Sequence, residues 1–195
     1  MIIQFLFRNI ASLSDEDLML RVSSKDDERA FDELYNRHAR RVMGFLVRQL
    51  SDEDRAADLM QDAFMRVWSS RERYISGSDF STWLFSIAYN LIKNEYRRSG
   101  YSADYAEHVA RTITEEHDDD MELHIDKKLF DEALRAELSM LDADSRLLFS
   151  LRFEEDMTVP QIAKVMNIPE GTVKSRQHTI VRNLKQKLKQ YEIRR

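Results

Sequence analysis

Along residues 80–98, Ser86, Asn90, Lys93 and Arg97 recur at i, i+4, i+7 and i+11, a spacing that puts all four on one face of a helix. Trp83, Phe85, Tyr89 and Tyr96 are interleaved with the cationic end. Amines and guanidinium groups hold phosphates and aromatic rings stack on bases, so the mixture suits a nucleic-acid contact. Leu84, Ile87, Ala88 and Leu91 form an apolar stripe on the same helix, however, and aromatic residues in helices more often fill a core. Both uses stay open on this stretch alone. Covalent chemistry finds no support, because His38, His108, His117, His124 and His178 stand in no nucleophile arrangement and no metal-ligand spacing. The sharpest exception is the run in which His117 and His124 bracket four carboxylates. A solvated acidic linker is the commoner use of such a run, and no element there would fix the ligands.

The last third carries a more specific pattern. Thr158 is placed as an N-cap with Gln161 three residues later, and Pro160 falls in the first turn, where its missing N–H costs nothing. A short helix to Met166, a break at residues 167–169 and a long helix from Glu170 have helix-turn-helix proportions. Val173, Ile180, Leu184, Leu188 and Tyr191 form the packing seam of that long helix, Lys174, Ser175, His178, Arg182 and Lys185 face away, and Arg176 lies between. In a helix-turn-helix the N-terminal residues of the second helix reach base edges in the major groove. Glu170, Lys174, Ser175, Arg176 and His178 hold those positions.

The remaining segments position these two. Ser14 with Asp17 starts a helix at Asp15, and Asp26 and Asp27 break it and cap the next. From residue 29 to 50, Phe31, Leu34, Tyr35, Val42, Phe45, Leu46 and Leu50 make a buried stripe with Arg37, Arg40, Arg41 and Arg48 outside it. Asp52 caps a third helix to about Ser70, whose Ala56, Leu59, Met60, Ala63, Phe64, Val67 and Trp68 face a core. Asp58, Gln61, Asp62 and Met65 form an acidic-amide face at i, i+3, i+4 and i+7, by itself a solvated surface. A polar loop over residues 71–81 delivers the chain into the aromatic-basic helix, with Ser81 or Thr82 as its cap. Residues 99–125 read as a flexible acidic linker, and two further helices, at about 126–138 and 142–153, precede the helix-turn-helix.

Composition agrees with an all-α chain of two small domains. Only 2 Pro and 4 Gly occur in 195 residues, so tight turns are few, and the hydrophobic fraction of 43% supports two modest cores. Cys is absent, which excludes disulfides and thiolate zinc sites and suits a reducing cytoplasm. The apolar leader, residues 1–12, is too short for a membrane span and lacks signal-peptide features. Net charge is -5, but residues 160–195 hold nine Lys/Arg against two Glu, which makes that end +7 and leaves -12 on the rest. A basic end on an acidic body points to a DNA-facing tail and a separate partner for the remainder.

Ile162, Ala163 and residues 171–176 together resemble DNA-binding domain four of bacterial sigma factors, a pattern shared in part by response regulators. Residues 30–35, residues 57–64 with Val67 and Trp68, and Phe80 with Thr82, Trp83, Leu84, Ile87, Ala88, Asn90, Arg97 and Arg98 resemble sigma domain two. With these two domains and a short linker, the chain is similar to the extracytoplasmic-function (ECF) group. The resemblance implies domain two over residues 13–98, a linker over 99–125 and domain four over 126–195, with no catalytic residue, cofactor or metal. It implies that Asp58, Gln61, Asp62 and Met65 dock on core RNA polymerase, whose β and β′ subunits are the expected partners. The loop Tyr74, Ile75, Ser76, Gly77, Ser78, Asp79 and Phe80 matches the segment that captures a base flipped from the promoter minus-ten element. Ser86, Asn90, Lys93, Arg97 and Arg98 would follow along the adjoining DNA. Glu170, Thr172, Lys174, Ser175, Arg176, His178, Thr179 and Arg182 would read the minus-thirty-five element. A cytoplasmic location, promoter DNA and an anti-sigma factor are further implications. Glu95, where the family commonly has Asp, is a mild departure. The alternative is a freestanding helix-turn-helix regulator, which leaves the Asp58 face and the aromatic loop unexplained.

Overall fold

Helix start signals explain most of the observed architecture. The computed structural model describes residues 10–50, 52–99 and 121–189. These form eight α-helices and, among the described residues, no strand: α1 (Asp15–Lys25), α2 (Glu28–Leu50), α3 (Glu53–Ser69), α4 (Phe80–Ser99), α5 (Met121–Ser139), α6 (Ala143–Phe149), α7 (Val159–Met166) and α8 (Glu170–Leu188). They fall into two compact units. The expected all-α, two-domain class is met; residues 1–9 of the leader, most of the linker and the His117 end of the His117–His124 run lie outside the described residues.

In the first unit, Ser14 Oγ accepts the Asp17 N–H at 3.1 Å and Asp52 Oδ1 accepts the Arg55 N–H at 2.9 Å, each cap contributing about 1 kcal/mol. Asp26 closes α1 in the left-handed conformation (φ 52), and Asp27 Oδ1 then accepts the Ala30 N–H at the start of α2. The core gathers Leu18, Met19, Leu34, Phe45, Leu46, Leu84, Phe85 and Ile92, all fully buried. Phe45 and Phe85 meet edge to face at 5.3 Å, and Phe31 packs on Trp68 at 5.1 Å. The cap of α4 differs from the expected Ser81 or Thr82. Asp79 Oδ1 takes the Thr82 N–H at 2.6 Å, because a carboxylate is a stronger acceptor for the free amides of a helix N-terminus than a hydroxyl.

In the second unit α5 begins five residues earlier than expected, at Met121, where Met, Glu and Leu are strong helix formers. The predicted helix over 142–153 is α6 followed by a π-helical turn, Ser150–Glu154, in which the Glu155 N–H reaches the Ser150 carbonyl. Asp142 caps α6 through the Ser145 N–H at 2.9 Å. The Gln161 half of the expected capping box is formed, with Gln161 Oε1 accepting the Thr158 N–H at 2.8 Å. Asn167 then takes the left-handed conformation (φ 53) and the Ile168 N–H closes back on the Ala163 carbonyl, a Schellman ending that turns the chain into α8 within three residues.

Candidate nucleic-acid interface

Three surfaces carry the residues singled out above. On α3 the inward positions Ala56, Leu59, Ala63, Phe64 and Val67 are buried, and Asp58, Gln61, Asp62 and Met65 all face outward. Met65 is 67% exposed, an unusual position for a large apolar side chain beside two carboxylates. Asp58 has only a loose partner, Arg55 at 3.4 Å.

The second surface is the loop before α4. The Ser78 N–H reaches the Ile75 carbonyl at 3.0 Å, and Gly77 sits at φ 81, the left-handed third position of a tight turn that Gly occupies without strain. The turn pushes Ile75 out to 74% exposure, with Ser76, Gly77 and Asp79 also exposed and Ser78 half-buried. Tyr74 and Phe80, predicted as contact residues, point inward instead. Phe80 is fully buried against His38 (5.2 Å) and Trp83 (6.4 Å), and Tyr74 packs on Trp83 at 5.3 Å while its hydroxyl donates to the Ser78 carbonyl. Burial, reinforced by Glu16, Asp79 and Asp15, pushes the Tyr74 phenol up to about 12. These two rings are therefore the base on which the turn stands.

Along α4, Phe85 and Tyr89 are core, which settles them against base stacking in this fold, while Asn90, Arg97 and Arg98 are exposed and Ser86 and Lys93 half-buried. Ser86 donates to the Thr82 carbonyl at 2.7 Å and Asn90 to the Ser86 carbonyl at 2.9 Å, so both polar groups are held by their own helix. Arg98 pairs with Glu95 at 3.0 Å.

The third surface is α8. Val173, Ile180, Leu184 and Leu188 are its buried seam, and Glu170, Lys174, Ser175, His178, Thr179 and Arg182 are exposed on the rest. Thr172 is half-buried and its carbonyl accepts the Ser175 hydroxyl at 3.0 Å. Arg176, also half-buried, extends toward the start of α6, with Nη1 3.7 Å from Asp144. Asp142 feels that guanidinium as well: burial raises its pKa, but the Ser145 bonds and then Arg176 outweigh this and bring it below the usual value.

One group of polar contacts had no sequence signal. Asp15 Oδ2 lies 2.6 Å from His38 Nε2 while Asp15 Oδ1 accepts from Arg37 at 2.8 Å. Arg37 also reaches the Leu13 and Ala11 carbonyls, both at 2.9 Å, and Glu16 Oε1 accepts the Phe80 N–H at 3.3 Å. The partners are separated by 22 to 64 residues, beyond any periodicity rule. Among the described residues no group of three or more His, Asp or Glu side chains could hold a metal ion, and no helix is long and apolar enough to cross a membrane.

Residues 34–101 match the family described as Sigma-70 region 2, and residues 138–186 match Sigma-70, region 4. The chain is 32% identical over 169 residues to the RNA polymerase sigma-H factor of Pseudomonas aeruginosa, covering 83% of this chain and 87% of that protein. It is 31% identical over 172 residues to the ECF RNA polymerase sigma-E factor of Haemophilus influenzae, covering 84% and 89%. Among solved structures, the sigma factor RpoE of Bartonella quintana, crystallised with the anti-sigma factor NepR, is similar in fold at TM-score 0.63 and 23% identity, over 83% of this chain and 98% of that one. CnrH, solved with the cytosolic domain of CnrY, gives a TM-score of 0.65 at 22% identity, over 90% and 97%.

Proposed function

The chain belongs to the extracytoplasmic-function sigma factors, and from that premise we propose how its residues divide the work of promoter recognition. It is a non-enzymatic initiation factor that binds core RNA polymerase, recognises the minus-thirty-five and minus-ten elements and nucleates DNA melting. Domain two, over residues 13–98, docks through Asp58, Gln61, Asp62 and Met65 and captures a minus-ten base with the exposed part of the 74–80 loop. Ser86, Asn90, Lys93, Arg97 and Arg98 hold the DNA beyond it. Domain four, over residues 126–195, reads the minus-thirty-five element with α8. Residues 99–125 link them, threading toward the polymerase active centre and RNA exit path, where negative charge can imitate nucleic acid.

The mechanism is physical. Extruding a base costs a few kcal/mol, which contacts with the exposed residues of the turn offset in part once the base is out. Tyr74 and Phe80 serve this step by supporting the turn rather than by touching the base. The cytoplasm is the compartment in which it acts, and an anti-sigma factor is its proposed regulator, in line with the complex of RpoE with the anti-sigma factor NepR.

The observation that carries the reading is the two-sided character of α8, with an apolar seam buried and Lys174, Ser175, His178 and Arg182 left on the open face. Equilibrium binding to duplex promoter DNA with and without core polymerase tests it. At a net charge of -5 the isolated chain binds weakly and gains affinity and specificity with polymerase. Nanomolar binding by the chain alone at physiological salt would instead favour a freestanding regulator.

A further inference from the structure

The loop between α3 and α4 is anchored at both ends by one helix, α1, which no role assigned so far includes. At the loop's start, Asp26 accepts from Arg71 Nε at 2.5 Å, and the same guanidinium lies over the Trp68 ring at 4.9 Å and donates to the Trp68 carbonyl at 2.9 Å. At its end, Glu16 accepts the Phe80 N–H beside the Asp79 cap. Between the anchors the loop holds itself by the Ser78 N–H to the Ile75 carbonyl and the Tyr74 hydroxyl to the Ser78 carbonyl. From Glu16 to the C-cap Asp26 the element rises about 15 Å at 1.5 Å per residue, and its two ends hold the two ends of the loop. It is itself fixed below by Leu18, Met19 and Val22, all fully buried, and by the Asp15 contacts to Arg37 and His38.

We propose that α1 is a splint for the base-capturing turn, with Glu16 and Asp26 as positioning residues that set minus-ten selectivity. The inference rests on the assignment of the 74–80 loop to the minus-ten element. Asp26 is exposed and Glu16 half-buried, so neither contact adds much to stability. Their effect is geometric: they decide where Ile75 and Ser76 stand relative to a base held by the rest of the complex. A loop free at either end would sample several positions and discriminate less between bases.

The test is run-off transcription by full-length variants with core polymerase, on templates substituted at single minus-ten or minus-thirty-five positions. The variants are Glu16→Ala, Asp26→Gly, their double, and Ile75→Ala and Ser76→Ala in the turn. Asp26→Gly removes the carboxylate acceptor and keeps a residue that adopts the left-handed conformation without strain. The double variant is expected to lose about 3- to 10-fold in the cognate-to-substituted minus-ten ratio, with the minus-thirty-five ratio and the thermal midpoint nearly unchanged. Glu16→Gln, which retains a carbonyl acceptor, restores most of the ratio. If Ile75→Ala or Ser76→Ala shifts minus-ten preference and the double variant does not, the splint is overturned while the loop assignment stands. If neither turn substitution shifts it, the loop assignment fails and the splint with it.

Discussion

Asp15 Oδ2 and His38 Nε2 lie 2.6 Å apart and join the first turn of α1 to the middle of α2. The histidine is 7% exposed and its ring packs edge-on to Phe80. The His38 hydrogen bond is the main reason the Asp15 carboxyl titrates below its usual 3.8; burial opposes it and Arg37 assists. A carboxyl lowered by folding stabilises the fold above its unfolded pKa, and that contribution is lost as pH falls through the folded value. Asp15→Asn is therefore expected to flatten the acid limb of the stability curve below about pH 4. His38→Ala should cost about 1–3 kcal/mol at neutral pH, measured by denaturant unfolding.

Tyr74 gives the opposite sign. A phenol raised from 10.0 to about 12 favours the fold while it stays neutral, so stability is complete below pH 10 and declines as pH rises from there toward 12. Tyr74→Phe removes this alkaline decline and also the bond to Ser78. Chemical denaturation in a pH series from 8 to 12 checks the first effect. Near-neutral stability should fall by only about 0.5–1.5 kcal/mol.

Gly77 and Gly171 separate backbone strain from space. A Cβ added at either meets nothing within 4 Å, but only Gly77 has a positive φ. Gly77→Ala should cost about 1–2 kcal/mol and disturb the turn. Gly171→Ala, in the first turn of α8, should leave thermal stability unchanged or raise it by about 0.5 kcal/mol. Scanning calorimetry of both variants reads the difference.

The local devices of this fold were legible because they obey short-range rules. Ser14, Asp52 and Gln161 cap as their spacing says, and Asn167 turns the chain because it tolerates the left-handed region. The outward set on α3 and the split faces of α8 followed from the 3.6-residue period. Phe80 did not, since a ring at the first position of a helix has no preceding turn to reveal its face. Asp79, Ser81 and Thr82 are all competent caps, and their order of preference depends on where the amides point. Asp15–His38, Asp26–Arg71 and Glu16–Phe80 join residues 23, 45 and 64 apart, so the framework around the loop exists only after α1 has packed.

Arg176→Ala should weaken minus-thirty-five recognition by ~1–3 kcal/mol, with most of the loss on the cognate sequence. Affinity of the holoenzyme for templates with matched and mismatched minus-thirty-five elements measures this. A smaller loss, equal on all sequences, assigns the side chain to phosphate. In the free protein Arg176 is drawn toward Asp144, 3.7 Å away, so DNA must compete for it.

Run-off transcription with core polymerase on a promoter library tests the central claim most directly, with wild type and Asp58→Arg compared side by side. Asp58 is exposed, with its side chain at 67%, so its reversal should leave α3 folded. The expected result is specific initiation from templates carrying both elements with wild type, and a large loss of transcript and of polymerase co-purification with Asp58→Arg. Absence of any promoter-specific transcript with wild type, together with tight duplex binding by the chain alone, would contradict the claim.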